Sequence, residues 1–451
     1  MRVLLTGATG FIGHALARAL LLRGHELVCA VRDSHRLALG EPGRWRAIAC
    51  DLSQVPDAAW WRPHLEGIDG VVNAVGIIRE APGQTFEALH HQAPAALFRA
   101  CAEAGVRAVV QVSALGADAG ATSRYHRSKR AADEVLRGLG LHGAIVQPSL
   151  VYGVEGASAG LFNTLAAAPL LAMPRSGGMQ VQPVHVDDVV EGIVRLVEAS
   201  PAPLETITFS GPRPTSMRDY LRALRSALGV AGPLHVLPYP TPLFMLGARV
   251  AAHLPGSVLD AETAGMLLAG NAGSSERFAR LLERPPRDVA SFIEPAQAPA
   301  LRTQAVLGLW LPVLRVALAF LWLWTAAVSF GLYPVQESLA LLARVGITGG
   351  PASAALYGAA AFNLLLGLLT LACPAQWRRL LWAAQLALIG GYTVLISLFL
   401  PEYWLHPYGP ISKNLPILAA IGMLWSLEPA HRVGGPRAQD GWTTSSSSGP
   451  T

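Results

Sequence analysis

Cysteine, lysine and runs of like charge are scarce in this chain of 451 residues. The cysteines are Cys29, Cys50, Cys101 and Cys373. Their scattered positions lack the spacing of a metal site and indicate buried thiols in a reducing compartment, not a disulfide framework. The net charge of +5 is modest, and no basic stripe with interleaved aromatic residues is present, which argues against a nucleic-acid partner. Lys129 and Lys413 are the only lysines in a chain that otherwise uses arginine.

Long apolar runs are missing from residues 1–300, which have the composition of a soluble protein, but they dominate residues 305–428. The sequence therefore predicts more than one domain. The predicted regions are a soluble domain over 1–295, a Pro/Ala linker over 296–304, a membrane domain over 305–430 and a disordered tail over 431–451.

The first thirteen residues are MRVLLTGATGFIG, a short apolar run followed by three glycines and then a helical pattern. A strand, a glycine turn and a helix in this order are typical of a dinucleotide-binding site. Gly7 permits the tight turn, Gly10 lets the backbone approach a pyrophosphate, and Gly13 lets the helix pack against the strand. The predicted contacts also include Thr9, Phe11 and Ile12, at the helix N-terminus where free N–H groups favour phosphate. A secretion signal is the alternative, but the glycines interrupt any apolar core.

Short apolar runs alternate with helical patterns through the first 150 residues, as in a parallel sheet with crossover helices. The predicted strands are Val3–Leu5, Glu26–Val31, Ala47–Ala49, Gly70–Asn73, Ala108–Val112 and Ala144–Gln147, and the predicted helices cover 12–23, 85–104 and 124–138. A further amphipathic helix is predicted over Ser216–Leu228.

The end of the second strand bears on the choice between NADP and NAD. Arg32 follows Gly13 by 19 residues and suits a 2′-phosphate, whereas the neighbouring Asp33 suits a free 2′-hydroxyl. We predict NADP, with NAD as the alternative, and an exposed Arg-Asp turn is the structural interpretation. Asp51 and Leu52, after the third strand, are expected to contact the adenine. Small residues after the fourth strand, among them Ala74, let a cofactor lie against the backbone.

Tyr125 and Lys129 stand four residues apart and so share one helix face. An ammonium group beside a phenol lowers the pKa of the phenol, which predicts Tyr125 as an acid or base near neutral pH. Lys129 is also placed to hold the nicotinamide ribose. Ser113 precedes Tyr125 by twelve residues. An exposed surface pair is the alternative interpretation of Tyr125 and Lys129.

Over nearly all of residues 1–295 the chain resembles the extended and atypical branches of the short-chain dehydrogenase/reductase superfamily. The matching segments are Thr6–Gly13, Asp51-Leu52, Asn73–Gly76, Tyr125 with Lys129, Pro148–Gly153 and Pro183–Val189. The resemblance implies an α/β fold, a Rossmann-type doubly wound parallel sheet with a small C-terminal substrate lobe. It also implies that Tyr125 is the acid/base, that Lys129 orients the ribose, and that Pro148 lies beside the nicotinamide. The superfamily's serine falls where this chain has Ala114 and Leu115, so Ser113 is only the nearest match.

Four membrane spans are predicted, so the fold class adds an all-α four-helix transmembrane domain. The spans cover about 310–332, 353–373, 379–400 and 411–427, the last of them short but tolerable. Arg378 and Arg379 between the second and third spans, with Arg432 and Arg437 in the tail, put both termini in the cytoplasm of a bacterial inner-membrane protein. Residues 402–414 gather ionisable groups at the other face, as a functional site or as an interfacial loop. Residues 305–428 resemble the DoxX-like membrane family.

Two functions follow from these patterns. The first is a membrane-anchored NAD(P)-dependent oxidoreductase that transfers hydride to or from a lipophilic or quinone-like substrate drawn from the lipid bilayer. The second is a non-catalytic NADP(H)-binding subunit, structural or sensing, that works with membrane protein partners. The atypical group that it resembles includes the nucleotide-binding accessory subunit of respiratory complex I, which favours the second.

Overall fold

The computed structural model describes residues 1–41, 43–175, 179–199, 202–252 and 260–428. The predicted tail over 431–451, with Arg432 and Arg437, lies outside these residues. The chain divides into two compact units, one ending at Leu309 and the other beginning at Trp310.

Strands and helices alternate through the first unit. The strands are β1 (Arg2–Thr6), β2 (Glu26–Val31), β3 (Trp45–Ala49), β4 (Gly70–Asn73), β5 (Ala108–Val112), β6 (Gly143–Pro148), β7 (Val151–Tyr152), β8 (Leu170–Pro174), β9 (Gln180–Val181), β10 (Val184–His185), β11 (Glu205–Phe209), β12 (Thr215–Ser216) and β13 (His235–Tyr239). All six strands expected from the sequence are present, shifted by two residues at most.

Helices cover both faces of the sheet and make up the second unit. The α-helices are α1 (Phe11–Leu22), α2 (Ala58–Trp61), α3 (Ala93–Ala104), α4 (Arg124–Gly138), α5 (Ala157–Ala167), α6 (Val186–Glu198), α7 (Met217–Ala227), α8 (Thr241–Ala251), α9 (Ala261–Ala269), α10 (Glu276–Leu282), α11 (Ala298–Ala327), α12 (Val335–Arg344), α13 (Gly350–Ala372), α14 (Ala375–Phe399) and α15 (Asn414–Leu427). Short 3-10 helices cover Ser34–Arg36, Leu52–Gln54, Arg62–His64, Val289–Ser291 and Pro401–Trp404, and π-helical turns cover Glu87–Gln92 and Val328–Leu332.

Seven of the described strands form one parallel sheet in the order β3-β2-β1-β4-β5-β6-β11. Alternate side chains of each strand enter separate cores, so Val3 and Leu5 pack with α1 and α6 on one face. Leu4 packs with α3 and α4 on the other face. This confirms the Rossmann-type doubly wound fold. The strand order reverses between β1 and β4, where such sheets bind ligands outside their carboxyl ends.

A smaller lobe follows the sheet and has its own core. The lobe contains three two-stranded sheets and the helices α5 and α7, which pack together. The sheets pair β7 with β10, β8 with β13 and β9 with β12. The core contains Tyr152, Phe162, Tyr220 and Phe292. The predicted amphipathic helix is α7, whose N-cap Ser216 accepts a hydrogen bond from the Asp219 N–H.

The predicted linker over 296–304 is occupied by a helix. α11 begins at Ala298, and Leu301 and Ala305 are buried in the core of the lobe. Apolar residues at the start of this helix give it a packing surface, so the Pro/Ala-rich composition does not produce an open linker here.

Three helices among the described residues are long and apolar enough to cross a membrane: Ala298–Leu332, Gly350–Ala372 and Ala375–Phe399. The fourth predicted span corresponds to α15, which has 14 residues and is about 21 Å long, shorter than the roughly 30 Å of a bilayer core. Within this unit, Trp322 Nε1 donates to Gln385 Oε1 at 2.9 Å, and Gln385 Nε2 donates to Thr370 Oγ1 at 2.9 Å.

Residues 402–414 form local contacts that resemble an interfacial loop. Glu402 pairs with Arg344 of α12, and Asn414 Nδ2 donates to Thr393 Oγ1 at 2.8 Å. Some of the polar side chains in this segment are therefore paired with neighbouring residues of the same unit.

Candidate functional site

The turn between β1 and α1 is closed by two glycines that no larger residue can replace without movement. Gly7 has φ +74°, and a Cβ there would lie 2.7 Å from the backbone of Ala74. A Cβ on Gly13 would lie 2.1 Å from the Gly7 carbonyl oxygen. The roles predicted for Gly7 in the turn and for Gly13 in helix packing therefore match the geometry.

The N-terminus of α1 is open to a ligand. Its N-cap is Gly10, which supplies no side-chain cap, and its first turn contains no acidic residue. The N–H groups of Phe11, Ile12 and Gly13 belong to the first helical turn, where they have no intrahelical partner. Thr9 and Gly10 at the loop tip are exposed. Free donors at the positive end of a helix dipole, approached over glycine, fit the diphosphate of a dinucleotide.

The residues that follow β2 and β3 differ in whether their polar side chains are already hydrogen-bonded within the protein. Arg32 is exposed and has no hydrogen bond or ion pair within the part of the chain described here. Asp33 instead caps the following 3-10 helix by accepting from the His35 N–H at 3.0 Å. Asp51 Oδ1 accepts from both the N–H and the hydroxyl of Ser53. Leu52 is buried in the core beneath the sheet edge, so only Asp51 of this pair has a polar side chain.

Lys129 is 3% exposed and holds two strand ends together. Its Nζ donates to the carbonyl oxygens of Val75 at 2.9 Å and Val112 at 3.1 Å. Burial lowers its pKa to about 8, although the charge of Asp133 opposes this shift. The ammonium group thus lies at the carboxyl ends of β4 and β5, next to Gly76, where the ribose side of a cofactor is expected.

The expected effect of Lys129 on Tyr125 is corrected by the structure. Burial raises the pKa of Tyr125 to about 12, and no hydrogen bond joins the two side chains within the described ranges. The Lys129 ammonium is directed at backbone carbonyls, while the Tyr125 ring lies edge-on to His90 and Phe86. The phenol is therefore held in its protonated form at neutral pH.

Ser113 is buried at the end of β5, and its hydroxyl is already used. It donates to Asp133 Oδ2 at 2.5 Å. Burial raises the pKa of Asp133 to about 6, partly offset by the hydrogen bond from Ser113 and the charge of Lys129. This geometry makes Ser113 a support for the helix that carries Tyr125 and does not favour it as the group that polarises a substrate.

His90 was not predicted from the sequence and joins the site from the π-helical turn. Its Nε2 accepts from the Ile77 N–H at 2.9 Å, so its Nδ1 carries the proton and donates to Ser128 Oγ at 2.9 Å. Ser128 in turn donates to the Tyr125 carbonyl oxygen at 2.7 Å. Burial and the charge of Lys129 lower the pKa of His90 to about 2, so the imidazole is neutral. The only feature of the sequence that could have indicated a role for His90 is the adjacent His91.

The residues that follow β6 form a further part of the candidate site. Pro148 is buried, and its carbonyl oxygen accepts from the Leu115 N–H at 3.0 Å. Beyond it, the ring of Phe11 lies so close to Gly153 that a Cβ there would be 2.7 Å away. Ala74 is half-buried against Gly7.

A cavity of about 540 Å³ lies between the β5–α4 loop and α9. Its lining includes Thr122, Ser123, His126, Glu262, Met266 and Asn271. Tyr125 does not line it, but the Tyr125 N–H donates to Glu262 Oε1 at 3.0 Å. The cavity is mixed in polarity and of a size that suits a small organic molecule.

Two family models match the chain. The NAD dependent epimerase/dehydratase family matches residues 3–207, and the DoxX-like family matches residues 319–422.

Among curated proteins, the chain is 29% identical over 250 residues to NADH dehydrogenase (ubiquinone) 1 alpha subcomplex subunit 9 of Mus musculus, covering 53% of this chain and 63% of that protein. It is 29% identical over 193 residues to the ceramide reductase of Caulobacter vibrioides, covering 43% and 59%. The chain thus spans less than two thirds of either relative. It is 30% identical over 261 residues to a 3-diazoavenalumate denitrifying reductase of a Streptomyces species, covering 50% and 82%.

Among solved structures, the NADPH-dependent quinone oxidoreductase of Escherichia coli complexed with NADPH superposes with a TM-score of 0.51 at 16% identity, covering 64% of this chain and 97% of that chain. At this identity the likeness concerns the fold. With its parallel sheet and glycine turn, the chain belongs to the NAD dependent epimerase/dehydratase family in its N-terminal domain and carries a DoxX-like domain after it.

Proposed function

We propose that this chain is a membrane-anchored, NADP(H)-dependent oxidoreductase that acts on a lipophilic carbonyl or quinone-like substrate. The observation that carries the proposal is the arrangement on α4: a buried Lys129 fixed at the strand ends, and a protonated Tyr125 one helical turn away. The nicotinamide, when bound, supplies or accepts the hydride.

The chain's own residues have separate tasks in this proposal. The first-turn N–H groups of α1 hold the diphosphate, and Arg32 binds the 2′-phosphate of NADP. Lys129 orients the nicotinamide ribose, and Pro148 limits the space beside the ring. Tyr125 Oη would donate its proton to the oxygen of the substrate carbonyl.

The class of substrate follows from the setting. Three apolar helices of spanning length and a DoxX-like domain support a membrane protein, and one relative is named a ceramide reductase. We propose that α15 is a fourth, shorter span, which puts the nucleotide-binding domain and the C-terminus on the same, cytoplasmic side of a bacterial inner membrane. The bias of Arg378 and Arg379 to one side of the spans supports this orientation.

Full-length protein in lipid nanodiscs tests this proposal through NADPH consumption. The acceptor panel contains a long-chain ketone, a ubiquinone analogue and a short water-soluble ketone of the same reactive group. We expect consumption with one of the long-chain acceptors and little with the short ketone. Turnover of the short ketone at the same kcat/KM would contradict a lipophilic substrate.

A non-catalytic NADP(H)-binding subunit is the second candidate. The observation that favours it is the Ser113 hydroxyl, which is engaged by Asp133 and leaves Tyr125 without the usual serine partner. The match to a complex I subunit points the same way. This function predicts tight NADPH binding, stabilisation by the cofactor and co-purifying membrane proteins, with no turnover of any acceptor in the panel.

A further inference from the structure

The helix α8 in the smaller lobe turns its apolar side outward. Leu243, Leu246 and Val250 are exposed at 56%, 55% and 62%. Their spacing of three and four residues puts them on one face of the helix. The opposite face, which includes the buried Ala248, packs on the lobe. A surface helix of a soluble domain has the reverse arrangement, with polar residues outward.

Exposed leucines also lie on the pair of strands next to α8. Leu170 of β8 is 53% exposed and Leu237 of β13 is 55% exposed. The two strands pair in parallel, and β13 runs directly into α8 through Pro240. We call these five side chains, Leu170, Leu237, Leu243, Leu246 and Val250, the α8 face.

The segments that carry the α8 face contain basic but no acidic residues. Residues 169–178 and 235–259 contain no aspartate or glutamate. The same stretches include Arg175 and Arg249, both exposed. An apolar face bordered by arginine is complementary to a bilayer with anionic headgroups, whereas a protein partner gains nothing from this bias unless it is acidic.

The chain also has a reason to bring this lobe to a membrane. Leu301 and Ala305 of α11 are buried in the core of the lobe, and the same helix continues into an apolar stretch of spanning length.

We propose that the α8 face lies in the headgroup region of the bilayer, as a monotopic contact additional to the spanning helices. Each exposed Leu or Val side chain then leaves water for the boundary between headgroups and acyl chains. This contact does not depend on the reaction of the proposed oxidoreductase and holds equally for a non-catalytic subunit.

The test uses full-length protein with an environment-sensitive NBD fluorophore on Leu246→Cys, in nanodiscs that contain a headgroup-proximal nitroxide lipid. The native cysteines are buried, so unsubstituted protein serves as the labelling control. We expect about a two-fold loss of emission relative to nanodiscs without nitroxide, because the label sits within the outer 5–10 Å of the bilayer.

Leu22→Cys is the matched control, because Leu22 is 80% exposed but lies on α1. Its label should keep its emission. In the background Leu243→Glu with Val250→Glu, which changes only exposed positions, quenching at position 246 should be lost. Equal emission at positions 246 and 22 would overturn the proposal. A blue shift at 246 without nitroxide quenching would also overturn it, by assigning the face to another protein or another segment of this chain.

Discussion

Lys129 shows how one buried side chain links stability to pH. Its pKa is lowered from 10.5 to about 8 by burial, so the folded protein releases this proton earlier than the unfolded chain. Between these values the unfolded state binds more protons, and the free energy of unfolding rises with pH. Below about pH 8 Lys129 is protonated in both states, and burying its charged ammonium group lowers the free energy of unfolding by about 3 kcal/mol.

We expect the cofactor-free protein to gain apparent Tm from about pH 8 to about pH 10, and Lys129→Met to lack this gain. The difference between the two proteins removes the titrations that they share, including that of Tyr125. Parallel Tm profiles for the two proteins would show that Lys129 does not titrate in this range.

We propose that Arg32 sets the preference for NADP, because Arg32 is exposed while the Asp33 carboxylate caps a 3-10 helix. Arg32→Ala should weaken NADPH binding about ten-fold, the value of a lost charge-assisted hydrogen bond, and leave NADH binding unchanged. Calorimetric titration of both cofactors checks this. An equal loss for NADPH and NADH would mean that Arg32 does not contact the 2′-phosphate.

At the scale of elements, the β1–α1 turn depends on close backbone contact. Gly13→Ala forces a methyl group against the Gly7 carbonyl oxygen, since its Cβ would lie 2.1 Å away. We expect a loss of about 3 kcal/mol and of NADPH binding. Gly160→Ala is the control, because a Cβ on this exposed glycine in α5 would meet nothing within 4 Å, and the variant should gain up to about 1 kcal/mol. If Gly13→Ala melts like Gly160→Ala, the turn is not the rigid element described.

The elements of the sheet were predictable because their signals are local. Short apolar runs located β1 to β6, and the glycine spacing located the start of α1. The contacts that tune the site were not predictable, because they join distant residues. His90 reaches Ile77 through a π-helical turn, and Asp133 takes the Ser113 hydroxyl across 20 residues of sequence. The length of α11 was also hidden, since proline and alanine suggested a linker where Leu301 and Ala305 supply a packed face.

At the scale of the whole molecule, the lobe requires the start of α11. A fragment that ends at residue 295 lacks Leu301 and Ala305, whereas one that ends at residue 309 retains them. We expect the longer fragment to be more stable by about 3 kcal/mol, the value of burying a leucine and its neighbours. Leu301→Ala in the longer fragment should reproduce about 2–3 kcal/mol of this difference. Equal apparent Tm values for the two fragments would place the domain boundary at the predicted linker.

The central claim is that Tyr125 donates the proton in a nicotinamide-dependent reaction of the intact membrane protein. The most direct measurement compares Tyr125→Phe with unsubstituted protein in nanodiscs, using the acceptor that supports turnover. We predict that kcat falls about 10²- to 10⁴-fold, because the proton donor is lost, while the Kd of NADPH is unchanged. Turnover by Tyr125→Phe at the rate of the unsubstituted protein would contradict the account.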